Sequence, residues 1–293
     1  MRNGVNSLSQ EEITLYLTCP RAFYLAHIRG VTREFIPAQA IAGSAVKEVI
    51  RLINMNEETK KALPYLFATI YERMRWGYEL QGIRVIADGA FSLSPYVTMI
   101  EGYLRKREKD GGRTILFRVP FRFEIAPFSS RYSFFGVLDE LREEKDGRMI
   151  LFSLTTARGK GGYQLELFRS SSLGMSAYAL RYGELFISGR WCSLSLVPDA
   201  LGVYFLRDHL PYSRGGRKQV EGRLIRYRAG EERGPGIHLL PWDEGDFAGL
   251  SRELARIFAA VKRGEFFRSP NLFCGRFCGY SRYCREDFLF KEA

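Results

Sequence analysis

Three of the five cysteines in this chain lie in one short segment near the C-terminus, CGRFCGYSRYC. Cys274, Cys278 and Cys284 are an odd number of thiols for disulfides and one ligand fewer than a tetrahedral metal site requires. A metal site built on them needs a fourth ligand from a distant part of the chain, where the remaining cysteines are Cys19 and Cys192. Such a site would tie remote segments together, so it restricts the folds open to this chain.

The charge balance favours a polyanionic partner. The chain has a formal net charge of +11 and a pI near 9.5, and a basic protein that neutralises phosphates releases their counterions. The alternative is a basic surface that serves solubility. No apolar run reaches the length of about eighteen residues that a membrane span needs, and MRNGVNSLSQEE lacks the apolar stretch of a secretory signal. We therefore expect a cytoplasmic protein without a membrane partner, where clustered cysteines more often bind metal than form disulfides.

Helical patterns come first along the chain. Ser9 and Glu12 have the spacing of a capping box ahead of an apolar helical stretch. Pro20 is expected to interrupt that helix, and a second short helix is expected to follow it. Residues 39–108 have apolar side chains at helical spacing, which predicts several helices in succession.

The pattern then changes to β-rich runs separated by turn-like residues. The runs RTILFRVPFRFEI, RYSFFGVLDELREE and RMILFSLTT come first, and SLSLV, LGVYFLRD and GRLIRYR follow a helix expected over about residues 164–186. An amphipathic helix is expected over residues 246–262, before the cysteine segment. This order predicts an α/β fold with a central mixed sheet flanked by helices.

The segment LSQEEITLYLTCPRAFYLAHIRG resembles the opening of the RecB-like nucleases of the PD-(D/E)XK superfamily. Together with the distal cysteine triplet, it is most similar to the CRISPR-associated iron–sulfur exonucleases that trim prespacers during adaptation. AddB-type recombination nucleases share this cysteine plan. The resemblance extends over about residues 7–286. It implies a restriction-endonuclease-like fold, with an N-terminal helical part before the sheet and an iron–sulfur region at the C-terminus.

On this resemblance the chain divides into four segments. Residues 1–38 carry the first cluster cysteine, residues 39–110 are helical, residues 111–245 form the nuclease-like core, and residues 246–293 hold the C-terminal helix and the cysteine cluster.

The resemblance also implies the fourth cysteine ligand. In these nucleases one further cysteine lies far upstream, and Cys19, in CPRAFYL, stands at that place. Cys192 lies at the start of an expected core strand, where a cysteine is most simply a small buried apolar residue. The implied ligands of a [4Fe–4S] cluster are Cys19, Cys274, Cys278 and Cys284, with Zn²⁺ as the alternative.

Most positions that the family uses for catalysis are changed in this chain. In AGSAVKEVI, Lys47 stands where the family has a histidine. In FFGVLDEL, Asp139 matches the aspartate of the family's GxxD strand. In ILFSLTTAR, Ser153 and Thr155 replace the acid and the lysine of the family's D-x-K pattern.

A further family position is also lost. In LGMSAYAL, the helical Tyr178 is retained, but Gly174 stands where the family has a glutamine. The family's chemistry needs two carboxylates to hold the divalent metal that activates water, and a single carboxylate holds Mg²⁺ poorly. Asp139 is therefore expected to be a weak divalent site at most, and the nuclease activity is expected to be lost.

Residual activity would require substitutes for the missing groups. The candidates are Lys160 or Lys47 for the lysine, and Glu124, Glu140 or Glu48 for the acid. Glu140 directly follows Asp139 on a strand, so its side chain is expected on the opposite face of the sheet. The alternative role for Asp139 is that of a solvent-facing or ion-paired strand residue.

Basic residues supply candidates for contact with DNA. The segment YSRGGRKQVEGRLIRYRAG concentrates arginines around a glycine turn, and it is expected either to follow a phosphate backbone or to be a solvated hairpin. Arginines and aromatic residues around the cysteines can stack unpaired bases or pack the cluster against solvent. The candidate DNA-binding residues are Arg21, Arg214, Arg217, Lys218, Arg276 and Arg282.

We therefore expect a DNA-binding iron–sulfur protein with a degenerate nuclease site. By resemblance it would act in CRISPR adaptation (prespacer processing) or DNA repair, beside an active nuclease or an integrase, on DNA that is single-stranded or has single-stranded ends. The alternative is an active exonuclease that uses Mg²⁺ or Mn²⁺ in a rearranged site at Asp139. A third hypothesis is a nuclease fold that serves only protein–protein contact.

Overall fold

The chain divides into two units in the computed structural model, which describes residues 7–87, 89, 91–126, 131–157, 167–210, 213–214, 217–218, 237–240, 242–269, 274 and 278–289. One unit comprises Met1–Leu93 with Arg256–Ala293, and the other is Ser94–Ala255. None of the helices in these described ranges has the length and apolar character that crossing a bilayer requires. The four segments given above stay a prediction.

The N-terminal part of the first unit is mainly helical, as the periodicity predicts. Its helices are α1 (Gln10–Thr18), α2 (Pro20–Phe23), α3 (Ala38–Met55) and α4 (Leu63–Glu79). A π-helical turn (Tyr24–Ile28) continues α2, and a 3₁₀ turn (Glu57–Ala62) precedes α4. Its strands are β1 (Ser7–Ser9), β2 (Phe35–Pro37) and β3 (Arg84–Ile86), and β2 pairs with β3 in parallel.

The start and the end of α1 confirm two local predictions. The Glu12 backbone N–H donates a hydrogen bond to Ser9 Oγ at 3.1 Å, and the Ser9 backbone N–H donates to Glu12 Oε2 at 2.7 Å. These two bonds form the predicted capping box. At the other end, Cys19 has extended backbone angles, φ −161° and ψ 101°, because a residue that precedes proline is disfavoured in the helical region. Pro20 therefore ends α1 and begins α2.

The second unit contains the sheet. Its elements in chain order are α5 (Ser94–Asp110), β4 (Arg113–Ile125), β5 (Tyr132–Glu143), β6 (Met149–Thr155), α6 (Gly174–Tyr182), β7 (Glu184–Ile187), β8 (Arg190–Cys192), β9 (Ala200–Phe205), β10 (Ser213–Arg214), β11 (Arg217–Lys218) and β12 (Ile237–Leu240). Strands β4, β5 and β6 coincide with the first three predicted β-rich runs.

The strand order of the sheet is β12-β9-β6-β5-β4-β7-β8. Neighbouring strands in this order are antiparallel, except for β6 and β9, which are parallel. The prediction of a central mixed sheet is therefore confirmed, with antiparallel pairs in the majority. Strands β4 and β5 form the long central hairpin, whose register sets Phe123 opposite Phe134.

Helices α5 and α6 flank this sheet. From α5, the buried Tyr103 donates a hydrogen bond from its hydroxyl to Glu140 of β5 at 2.9 Å. From α6, the ring of Tyr178 lies 4.8 Å from the ring of Phe123 in β4. The core between the strands and these helices includes fully buried Leu138, Leu141, Leu151, Leu154, Leu201 and Val203.

The region between β6 and β9 corrects two predictions. The helix expected over 164–186 is described as a π-helical turn (Arg169–Leu173) followed by α6, which ends at Tyr182. The chain turns there because Gly183 lies against β4, where a Cβ atom would come within 2.5 Å of the Arg122 carbonyl oxygen. The strand predicted for SLSLV is also wrong, since β8 ends at Cys192 and those residues are irregular. Cys192 is half-buried on β8 rather than in a core strand.

The C-terminal elements are α7 (Glu244–Arg263) and α8 (Ser281–Leu289). The predicted amphipathic helix is confirmed as α7. Its predicted apolar face is buried at Leu250, Leu254, Ile257, Phe258 and Val261. The predicted strand GRLIRYR and residues 158–166 lie outside the described residues.

Candidate functional site

Asp139 lies in the middle of the sheet on β5, beside Ser153 of β6. The residue is 7 % exposed. Its Oδ2 accepts a hydrogen bond from Ser153 Oγ at 3.2 Å and another from the Leu154 backbone N–H at 3.0 Å. Ser153, which stands where the resemblance predicts a second acid, therefore donates its hydroxyl to Asp139.

The other oxygen of Asp139 is held by an arginine that the sequence analysis did not identify. Arg118 NH1 donates to Asp139 Oδ1 at 3.1 Å, and the Arg118 side chain is 30 % exposed. The register of β4 and β5 sets these two residues opposite each other. Pairing the two predicted runs from their turn would set Arg118 opposite Leu138, one residue away from Asp139, so only the observed register shows this pair.

The backbone of Arg118 is unusual for a strand. Its φ angle is +53°, in the left-handed region that residues with a side chain seldom occupy. Within the described residues, its guanidinium has no other hydrogen-bond partner. Asp139 therefore forms an ion pair on its strand. The sequence analysis gave a solvent-facing or ion-paired strand residue as the alternative to a divalent metal site.

The remaining changed positions bring no second carboxylate to Asp139. Ser153 Oγ lies 3.3 Å from Ser172 Oγ, which extends the hydroxyl network. Thr155 Oγ1 accepts a hydrogen bond from the Ala157 backbone N–H at 3.1 Å. Lys47 lies half-buried on α3, in the first unit.

Gly174 and Tyr178 belong to the packing of α6. Gly174 is the buried first residue of this helix. Tyr178 lies among aromatic rings, 5.0 Å from Tyr182 and 6.3 Å from Phe247, and burial raises its pKa. At this place Tyr178 is a half-buried member of an aromatic cluster.

The substitutes considered for the missing groups have other partners. The prediction for Glu140 is confirmed, because its carboxylate accepts hydrogen bonds from Tyr103 and Arg142, whereas Asp139 contacts Ser153. Glu124 is exposed and lies 3.9 Å from Arg131. Glu48 forms an ion pair with Arg51 at 2.6 Å. Lys160 lies outside the described residues.

Cysteines from both ends of the chain meet in the first unit. Cys19, Cys278 and Cys284 pack around a small apolar cluster of Ala22, Leu25 and Tyr280. Burial raises the pKa of the Cys278 thiol, and the neighbouring Cys274, Cys19 and Cys284 raise it further. The four cysteines of the predicted ligand set therefore share one neighbourhood, whereas Cys192 lies in the other unit.

These four thiols fit an iron–sulfur cluster or Zn²⁺ in number and in donor chemistry, since thiolates bind both. Among the described residues, however, no three His, Cys, Asp or Glu side chains are arranged to hold a metal ion. The four thiols lie in one neighbourhood of the first unit.

The predicted DNA-binding residues fall in three places. Arg21 lies over the Tyr24 ring, with Cζ 4.7 Å from its centroid, and Arg282 forms an ion pair with Glu34 at 3.6 Å. In the β10–β11 hairpin, the pairs are Arg214 with Arg217 and Ser213 with Lys218. Arg276 lies outside the described residues. Contact of these residues with DNA stays a prediction.

Comparison with known proteins relates these features to one family. A model of the PD-(D/E)XK nuclease superfamily matches residues 7–285 of this chain. Among nine matching chains of solved structures, one described as "Crystal structure of SSO0001" is 11 % identical, with a TM-score of 0.41. The match covers 98 % of this chain and 89 % of that chain. No curated protein matches.

Proposed function

Because this chain belongs to the PD-(D/E)XK nuclease superfamily, we propose that it is a DNA-binding protein whose nuclease site no longer cuts DNA. The observation that carries this proposal is the environment of Asp139. Both of its oxygens accept hydrogen bonds from groups of the protein, and the cation beside it is Arg118. A divalent metal requires carboxylate oxygens that are open to it, and here they are engaged.

The charge of the chain supports DNA as the partner. A net charge of +11 favours association with a polyanion such as a phosphate backbone over contact with neutral surfaces. The third hypothesis, a fold used only for protein contact, gives no role to this charge. We therefore propose DNA that is single-stranded or has single-stranded ends.

The cellular process in which this protein acts is proposed from a resemblance, that of its cysteine spacing and its N-terminal segment. We propose a role in CRISPR adaptation or DNA repair, beside an active nuclease or an integrase. A protein that binds DNA ends without cutting them can hold or protect these ends for such an enzyme.

The cysteine neighbourhood supports a bound [4Fe–4S] cluster, with Zn²⁺ as the alternative. Cys19 would provide one ligand and Cys274, Cys278 and Cys284 the other three. A cluster held in this way would cross-link the two ends of the chain and stabilise the first unit, because closing a long loop restricts the unfolded chain.

An activity assay tests the loss of the nuclease site. Purified protein is incubated with labelled single- and double-stranded DNA in Mg²⁺ or Mn²⁺, and we expect no more cleavage than with Asp139→Ala. Cleavage by the native protein that disappears in Asp139→Ala would instead establish the alternative, an active exonuclease centred on Asp139.

A spectroscopic measurement tests the cluster. We expect protein purified without oxygen to be brown, to absorb at about 400 nm and to contain about four iron atoms per chain. Cys19→Ser should lose the colour and most of the iron, because one ligand is gone. Cys192→Ser is the matched control and should keep both. A colourless protein that contains zinc would overturn the iron–sulfur proposal.

A further inference from the structure

A tight hairpin at one end of the sheet presents two aromatic side chains to solvent. Strands β7 and β8 are joined by Ser188 and Gly189. Both residues have positive φ angles, +51° and +83°, which the two-residue turn favoured in hairpins requires. The register sets Phe186 directly opposite Trp191. Their ring centroids are 5.3 Å apart, and the residues are 41 % and 37 % exposed. The hairpin thus holds a rigid aromatic pair at the surface.

An arginine lies against this pair. Arg122, on the neighbouring strand β4, places its Cζ 4.4 Å from the centre of the Trp191 ring. Its Nε donates to Glu184 Oε2 at 2.6 Å, and this bond fixes the guanidinium over the ring. In the part of the chain that the structure describes, the two terminal nitrogens of Arg122 make no hydrogen bond. They remain available to an acceptor from outside.

The rest of the hairpin adds a second cation. Arg190, next to Trp191 on β8, is exposed and forms no ion pair within the described ranges. Glu184 is the acidic residue beside Arg122, so the charge of the hairpin and Arg122 together is positive. Strand β8 is the last strand on this side of the sheet order, and among the described residues no further strand pairs with its outer edge.

We propose that Phe186, Trp191, Arg122 and Arg190 form a platform that binds single-stranded DNA. Bases of an unpaired strand stack on aromatic rings and on guanidinium planes, and arginine donors bind the adjacent phosphates. An apolar protein segment would give the two arginines no hydrogen-bond acceptors. A polyanion supplies these acceptors and also complements the net charge of +11. The proposal rests on the proposed function, since it specifies which DNA this protein binds and where.

The test compares two exposed tryptophans. Trp191→Ala removes the stacking ring, and Trp76→Ala, on α4 in the other unit and 67 % exposed, is the matched control. Fluorescence anisotropy with a labelled oligothymidine and with a duplex of the same length is measured in EDTA. We expect Trp191→Ala to weaken binding of the single strand about tenfold or more and to leave duplex binding and thermal unfolding unchanged. Trp191→Phe should retain most of the affinity, and Trp76→Ala all of it.

A salt titration tests the arginine. Each phosphate contact on a single strand contributes about −0.7 to the slope of log affinity against log salt, so Arg122→Gln should flatten that slope by about this amount.

The outcomes separate this proposal from the proposed function. If native protein binds DNA and Trp191→Ala matches Trp76→Ala, the platform is wrong and the proposed function stands. Binding of the duplex without the single strand overturns the platform and the proposed preference for single-stranded DNA, and leaves DNA binding itself. If native protein binds neither DNA, both are wrong. If Trp191→Ala leaves DNA binding unchanged but abolishes self-association, the open strand edge pairs with another copy and the platform is overturned.

Discussion

Replacing Glu140 with glutamine is expected to lower the free energy of unfolding by about 3–5 kcal/mol, the cost of leaving a buried charge without its partner. Glu140 and Arg142 are 0 % and 1 % exposed. Arg142 donates to Glu140 Oε1 through Nε at 3.1 Å and through NH2 at 3.0 Å. Burial lowers the pKa of the Arg142 guanidinium, but the adjacent carboxylate outweighs burial and raises it above its usual value. In Glu140→Gln this raising cause is removed, but an arginine side chain is not deprotonated in proteins, so the buried guanidinium keeps its charge and loses its partner.

Two hydroxyls complete this buried group. Tyr103 donates to Glu140 Oε2 at 2.9 Å, and Thr114 Oγ1 donates to Oε1 at 2.9 Å. Burial raises the pKa of Tyr103 well above its usual value, so it remains a donor. Glutamine has one acceptor oxygen, and its amide would face donors, so part of this network is also lost.

Urea unfolding of matched variants measures this effect. Glu124→Gln, on the neighbouring strand with an exposed pair to Arg131 at 3.9 Å, should change the free energy of unfolding by no more than about 0.5 kcal/mol. Replacing both partners, as Glu140→Leu with Arg142→Met, should recover most of the loss, since apolar residues of similar volume leave no buried charge. A loss below about 1 kcal/mol for Glu140→Gln would contradict the prediction.

Removing Arg118 is expected to make Asp139 responsive to divalent metal. In metal-free buffer, Arg118→Gln should lower the free energy of unfolding by about 1–2 kcal/mol, a value reduced because the arginine is partly exposed. The freed carboxylate should then bind Mn²⁺ weakly. Mn²⁺ at ten times its dissociation constant would raise the free energy of unfolding of Arg118→Gln by about 1.4 kcal/mol. Native protein should show no such stabilisation.

Thermal unfolding with and without Mn²⁺ tests this second prediction. Arg113→Gln is the control, because Arg113 lies on the same strand and forms an exposed ion pair with Glu143 at 2.8 Å. It should change neither stability nor the response to metal. Adding Asp139→Asn to Arg118→Gln should abolish the response. Stabilisation of native protein by Mn²⁺ that depends on Asp139 would show that the ion pair does not exclude metal.

Short-range patterns in the sequence predicted much of the fold. The capping box at Ser9, the break at Pro20, strands β4 to β6 and helix α7 follow from hydrogen-bonding side chains, fixed backbone angles and hydrophobic periodicity. Each of these signals lies within the segment that it describes, so it can be recognised without knowing what the segment packs against.

One error lies where a distant segment decides the local structure. Helix α6 ends at Tyr182 because Gly183 packs against the backbone of β4, at Arg122. The predicted strand SLSLV is irregular, and β8 forms just before it, because the two-residue turn at Ser188 sets the register with β7. Strand β4 is distant in sequence from the helix that it ends, whereas β7 and β8 are joined by a two-residue turn, so the second error concerns a local pattern.

The candidate site divides in the same way. The residue types at positions 139, 153 and 155 show one carboxylate and two hydroxyls, because charge is a property of the side chain itself. The partner of Asp139 is instead decided by strand register, which brings Arg118 within 3.1 Å across 21 residues of chain. The sequence therefore defines which charges and thiols are available, and the tertiary structure defines which of them meet, because the contacts that decide this join residues far apart in the chain.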